Sequence, residues 1–277
     1  MKITDLTHII YSDMPVFPGT EQPILEKANT VEKDGFQETK ITMYSHTGTH
    51  IDAPAHMLNN GPYLDNLSIE HFIGNATILD FSNSDLKYID VDILIWYEEK
   101  IKAVEFIIIK TGWSKYWGTE RYFEDFPALT EDAAKWLTQF SLKGIGIDAI
   151  SIDAMKSTTF SIHKTLMPKN IIIIENLTNL DSIISEYFIL NVMPLKTTDA
   201  DGSPVRAISI ENIEGYTKNN RTANYAIALC CIVIFSILGI FLVGFYDSFI
   251  TIALTFGIIV GLLVGILIGI ERIFNRV

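Results

Sequence analysis

Cysteine is nearly missing from this chain of 277 residues: Cys230 and Cys231 are the only two, and they are adjacent. Neighbouring cysteines rarely pair, so no disulfide framework exists and no thiolate zinc site can be assembled. A Gly-x-Ser-x-Gly elbow is missing as well, and the two cysteines are in the wrong place for a nucleophile. Basic residues are scarce: 21 Lys and Arg stand against 33 Asp and Glu, for a net charge of -12. An acidic body of this kind argues against nucleic acid as a partner and is repelled by anionic lipid headgroups. There is no internal repeat and no low-complexity tract. Residues 1–8 lack the apolar core of a secretory signal and carry an acid early, so a cytoplasmic location is expected for the part that follows.

Charge disappears altogether from two runs near the C-terminus. Residues 223–245 and 249–270 contain no Asp, Glu, Lys or Arg. Each run is long enough to cross a hydrocarbon layer of roughly 30 Å as a helix. Only Tyr246, Asp247 and Ser248 separate them, enough for a tight turn, and a buried soluble helix pair would show a polar stripe that these runs lack. The expectation is a transmembrane hairpin over 223–277, joined by a polar linker at 217–222 to a domain at 1–216. Lys218 and Arg221 precede the first run and Arg272 and Arg276 follow the second, whereas the turn has no basic residue. Both ends are therefore expected inside, making a multi-pass protein of the cell membrane whose main domain faces the cytoplasm. Gly257, Gly261, Gly265 and Gly269 recur on one face of the second run and permit close helix contact, and no ionisable residue lies inside either run. An anchor or oligomerisation device in the lipid bilayer is expected rather than a transporter.

Before the linker, strands and turns dominate. Residues 3–11 form a short apolar run, 15–23 a Pro/Gly loop, and 38–52 alternate well enough to predict one long strand. Residues 76–81 and 106–110 are short β-rich runs, and 144–148 and 171–174 read as buried strands. Thr130-Glu131-Asp132-Ala133 predicts a helix start, an N-cap followed by acids in the first turn, with Ala134, Leu137 and Phe140 at apolar spacing. An α/β or α+β domain with a substantial sheet follows.

Three of the six histidines fall in His46-Thr47-Gly48-Thr49-His50-Ile51-Asp52-Ala53-Pro54-Ala55-His56. Gly48 and the β-branched Thr47, Thr49 and Ile51 disfavour helix, so the stretch is expected to run extended with His46, His50 and Asp52 on one face. Imidazole nitrogens and a carboxylate oxygen suit zinc and its first-row neighbours, with iron, nickel and manganese also open. Pro54 removes a backbone donor and predicts a turn, placing His56 beside a metal without binding it.

The same run resembles the signature of the cyclase family of metal-dependent hydrolases, which includes bacterial kynurenine formamidase and isatin hydrolase. Met14-Pro15-Val16-Phe17-Pro18-Gly19-Thr20 is similar to the family's substrate-side loop. The stretch from Gly146-Ile147-Asp148 through Ser151-Ile152-Asp153 to His163, then Ile174-Glu175-Asn176-Leu177 and Asp201-Gly202-Ser203-Pro204-Val205-Arg206-Ala207, resembles the rest, over about residues 1–212. The resemblance implies an α/β mixed-sheet domain, usually oligomeric, so a homodimer or higher homo-oligomer is expected. It implies two divalent metal ions, zinc first and manganese as the alternative. His46, His50 and Asp52 would bind one, His163 would belong to the second, Asp52 and Glu175 would bridge them, and His56 would move protons. Phe17 is the implied substrate contact, where kynurenine formamidases typically carry tryptophan; it keeps an apolar ring and loses the indole N–H. Trp113 and Trp117 offer further aromatic surface.

A metal so held lowers the pKa of bound water and polarises a carbonyl, so hydrolysis of an amide or cyclic amide in a small molecule is expected, with His56 passing a proton to the leaving nitrogen. The rival readings are a cyclase or dehydratase using the same metal on a non-amide substrate, and a catalytically silent metal-binding module displayed at the membrane. The presence of His56 argues against the silent module, since a structural metal needs no proton carrier beside it.

Overall fold

The computed structural model describes residues 1–212; the end of the domain expected at 1–216, the linker at 217–222 and both apolar runs lie outside the described residues. Among the described residues no helix is long and apolar enough to cross a membrane.

The main feature is a nine-stranded mixed sheet. Its spatial order is Lys2–Asp5, Ile208–Glu211, Phe188–Asn191, Ile73–Asp80, Phe106–Lys110, Gly144–Ile147, Ile172–Glu175, His50–Asp52 and Gly202–Pro204. The four strands from Ile73–Asp80 to Ile172–Glu175 run parallel, and the pairings on either side of that block are antiparallel. Parallel strands are covered on both faces, which is why 106–110 and 171–174 read as continuous apolar runs. Ile107, Ile109, Ile145 and Ile173 pack into one core with Ala133, Leu137, Ile162 and Leu166 of the helices Glu131–Leu137 and Ser161–Leu166. Phe106, Ile108, Ile172 and Ile174 point to the opposite face, into a second core with Ile51 and Leu177. The expected helix start is present: the Thr130 hydroxyl accepts from the Ala133 amide at 3.1 Å.

The long strand expected over 38–52 is split. Glu38–Thr42 pairs with Ile24–Asn29 in a separate two-stranded ribbon, and only His50–Asp52 joins the large sheet. Two local features break the run. Gly48 has φ +67°, in the left-handed region where its missing Cβ matters. The Thr47 hydroxyl donates to the Tyr44 carbonyl at 2.8 Å, closing a turn that overrides the extended preference of the β-branched residues.

Candidate metal centre

His50 and Glu175 face each other across neighbouring antiparallel strands, and Asp52 lies two residues from His50 on the same face. His50 Nε2 is 3.3 Å from Asp52 Oδ1 and 3.5 Å from Glu175 Oε2. His163, in the helix Ser161–Leu166, brings its Nε2 to 3.3 Å from Asp52 Oδ2 and 3.4 Å from Glu175 Oε1. Each carboxylate thus offers one oxygen to each of two imidazoles. His46 comes from the turn rather than from a strand, yet its Nδ1 lies 2.6 Å from Asp52 Oδ1. Its ring occupies the space above Gly202, where a Cβ would stand 2.5 Å from His46 Cε1. Pro54 opens a 3-10 turn over Pro54–His56, and the His56 ring packs 3.9 Å from that of His46 and 6.0 Å from that of His163.

The imidazoles are oriented from behind. His163 Nδ1 lies 2.6 Å from Asp153 Oδ2, and the same carboxylate accepts from the Ile162 and His163 amides at the start of the helix. His50 Nδ1 lies 2.8 Å from the Gly48 carbonyl, which can only accept, so Nδ1 carries a hydrogen and Nε2 is the nitrogen turned toward the carboxylates.

His50, Asp52, His163, Glu175 and Asp153 are all buried, and among the described residues no Lys or Arg lines the pocket that the first four face. Buried carboxylates need a compensating charge. Without a cation, protons supply it. Burial works against the charged form of His46, but the Asp52 charge and hydrogen bonds to Asp201 and Asp52 hold its pKa up to about 10. Burial likewise opposes a charge on His163, and hydrogen bonds to Asp153, Asp52 and Glu175 hold its imidazolium well above the usual range. Asp52 stays well below the carboxylate range despite full burial, held there by the His46 and His50 charges and the His163 hydrogen bond. For His56 burial outweighs the Asp52 charge and lowers the pKa.

A divalent cation fits this donor set. Tetrahedral ligands about 2.0–2.1 Å from a common ion stand about 3.3–3.4 Å apart, close to the 3.3–3.5 Å between the His50 and His163 Nε2 atoms and the carboxylate oxygens, and longer than good hydrogen bonds. Ligand atoms of His50, Asp52 and Glu175 lie within 4.8 Å of one another, as do those of His46, Asp52 and His56.

The pocket above these groups has a volume of about 340 Å³. Phe17 lines it, and so do Tyr44 and Phe160, which sequence reasoning missed. Trp113 and Trp117 are not among its walls; Trp117 stacks on His8 instead, with ring centroids 3.9 Å apart. Two further carboxylates act on these histidines. Asp153 orients His163, and Asp201 reaches His46 Nε2 at 3.2 Å and His56 Nδ1 at 3.8 Å. Their signal was a carboxylate beside a loop glycine or ahead of a histidine-bearing helix, too common to single out.

Known proteins share both sequence and fold. The Cyclase family model matches residues 4–154. The kynurenine formamidase of Bacillus cereus is 33% identical over 205 residues, covering 74% of this chain and 95% of that protein. Isatin hydrolase A from Labrenzia aggregata, solved bound to benzyl benzoate, has a TM-score of 0.69 at 25% identity, over 75% of this chain and 93% of that one. A structure described as a potential metal-dependent hydrolase with cyclase activity has a TM-score of 0.60 at 29% identity, over 75% of this chain and 96% of the other. This chain belongs to the cyclase family of metal-dependent hydrolases.

Proposed function

We propose that the protein hydrolyses an amide or cyclic amide bond in a small molecule, an arylformamidase-like reaction on a carbon–nitrogen bond other than a peptide bond. The observation that carries this reading is the pair of buried carboxylates, each offering one oxygen to His50 and one to His163, at the foot of a pocket with aromatic walls. A bound divalent cation acidifies water and polarises a carbonyl. His50, Asp52 and Glu175, together with His46 and His163, would hold it. The two-sided presentation of both carboxylates supports two ions, and the nitrogen and oxygen donors favour zinc with manganese as the alternative. His56, kept neutral by burial, accepts a proton; Asp201, 3.8 Å from its Nδ1, is placed to stabilise the imidazolium before the proton passes to the leaving nitrogen. Phe17, Tyr44 and Phe160 offer apolar ring faces to an aryl substrate.

The uncharged runs at 223–245 and 249–270 support display of this enzyme at the cell membrane, facing the cytoplasm. A homodimer is supported by the ribbon of Ile24–Asn29 and Glu38–Thr42, which exposes Ile24, Leu25 and Ile41 and which contributes no residue to either buried core among the described residues.

Elemental analysis of the full chain in detergent tests the reading, together with a screen of formamides, isatin-like lactams and linear amides. About two transition metals per chain are expected. His50→Ala loses metal, whereas His56→Ala keeps metal and loses turnover by roughly two to four orders of magnitude. Full activity in metal-free protein refutes the reading, and identical behaviour of the two variants refutes the division of roles. Removal of the residues after 215 is expected to release the protein from membranes with turnover intact.

A further inference from the structure

We infer that Asn176 is a positioning residue for His50: through the Gly48 carbonyl it fixes the tautomer and aim of that imidazole, and Tyr122 in turn fixes the Asn176 amide. The inference rests on the reading of His50 as a metal ligand.

The Gly48 carbonyl accepts from His50 Nδ1, and it belongs to a turn with a left-handed backbone rather than to a sheet ladder. Its second hydrogen bond comes from Asn176 Nδ2 at 2.8 Å. Asn176 follows directly on Glu175 and is pinned in its main chain on both sides. Its amide donates to the Ala149 carbonyl at 2.9 Å, and its own carbonyl accepts from the Thr49 hydroxyl at 2.6 Å. The buried side chain therefore bridges from the strand that ends at Glu175 to the turn that delivers His50. Its orientation follows from donor logic. Gly48 requires a donor, so Nδ2 faces it and Oδ1 faces the other way, where the fully buried Tyr122 hydroxyl donates at 2.6 Å. Tyr122 is braced in its turn by the edge-on ring of Trp117 at 5.1 Å.

Asn176 has φ +58°, which asparagine tolerates better than most residues and glycine tolerates best. That separates two roles. If position 176 served only the backbone turn, glycine would satisfy it; if the amide aims His50, glycine keeps the turn and loses the aim.

The test uses the full chain in detergent, stripped of metal, with Asn176→Gly, Asn176→Asp and Tyr122→Phe. Zn2+ affinity is measured by competition with a chromophoric chelator, and the His50 tautomer by nitrogen-15 NMR, its signals identified by their loss in His50→Ala. Both Asn176 variants are expected to bind Zn2+ about 10–100-fold more weakly and to lose the single Nδ1–H tautomer, Asn176→Gly with a lowered thermal midpoint as well because the buried Tyr122 hydroxyl is left without its acceptor. Tyr122→Phe is expected to shift both readouts in the same direction by less. Parental affinity and an intact Nδ1–H tautomer in Asn176→Gly overturn the inference. Should neither Asn176 variant fold, the same pair of results in Tyr122→Phe overturns it. A parent chain that binds no Zn2+ overturns the metal reading itself, a result distinct from a parent that binds and variants that match it.

Discussion

Stripped of metal, this protein is expected to lose stability as pH rises from about 7 to 9. In the metal-free protein the Asp52 charge and the hydrogen bonds to Asp201 and Asp52 overcome burial and hold His46 at a pKa of about 10, against about 6.5 in the unfolded chain. A group raised on folding stabilises fully below its unfolded pKa, and that stabilisation is lost as pH rises through the folded pKa. Between about pH 7 and pH 9 His46 alone then accounts for a loss of about 2 kcal/mol, at roughly 1.4 kcal/mol per pH unit for one proton. His163, also raised, adds in the same direction. Among the histidines and tyrosines of the described residues with shifted pKa values, few compete in this window. His8, pushed down to about 4 by burial, and His56 and His71, also lowered, are neutral in both states. Tyr122, raised by burial and by the Asp148 and Glu175 charges, would matter only near the unfolded tyrosine range of about 10. Saturating Zn2+ would displace the protons from the imidazoles, so the gap between loaded and stripped protein widens with pH. Urea denaturation at fixed pH, with chelator and with excess metal, measures both curves. A stripped protein whose stability is flat or rising from pH 7 to pH 9 refutes the reasoning.

Gly202→Ala places a Cβ 2.5 Å from His46 Cε1; it is expected to tilt the ring away from Asp52, with a stability cost of about 1–3 kcal/mol and a loss of metal content visible by elemental analysis. Phe160→Gly removes a pocket wall whose backbone sits at φ +51°. Relief of about 1–3 kcal/mol of strain should offset the lost packing, so an unchanged thermal midpoint with a raised KM for aryl substrates is expected, and an unchanged KM would deny Phe160 a substrate contact. Thr130→Ala deletes the hydroxyl that caps Glu131–Leu137; a loss of about 1 kcal/mol without change in metal affinity is expected from denaturant melts.

The parallel strands were legible because burial on both faces writes itself as isoleucine runs, and the Thr130 cap because its chemistry is local. The histidine segment was legible by residue type and misread in shape. A single extended strand was expected to align His46, His50 and Asp52, whereas Gly48 and the Thr47–Tyr44 bond turn the chain after Glu38–Thr42. His46 still reaches Asp52, because it approaches from the turn across the gap left by Gly202. Asp153, Asp201 and Asn176 act on histidines through contacts that separate them by up to 155 positions in the chain. No periodicity carries such information. His163 and Glu175 were reached through resemblance alone, for the same reason.

The site and the core are two faces of the same three residues. His50 and Asp52 point into the pocket, while Ile51 between them is fully buried among Ile172, Ile174 and Leu177 on the opposite side of the sheet. A register slip of one residue would turn Ile51 toward the pocket and drive an imidazole and a carboxylate into apolar packing. The pairing of His50 with Glu175 is thereby held by the cost of its alternative, beyond its own hydrogen bonds. The parallel block supplies the rest. Glu175 is the last residue of its strand, and Asp153 lies in the loop beyond the carboxyl end of Gly144–Ile147, the end at which open α/β sheets leave room for ligands. Adding one short antiparallel strand beside that edge completes a ring of donors that neither segment could form alone. Demands on the ligands therefore fall on the strand register first and on loop conformation second, which is why the positioning of the turn at Gly48 is left to side chains such as Asn176.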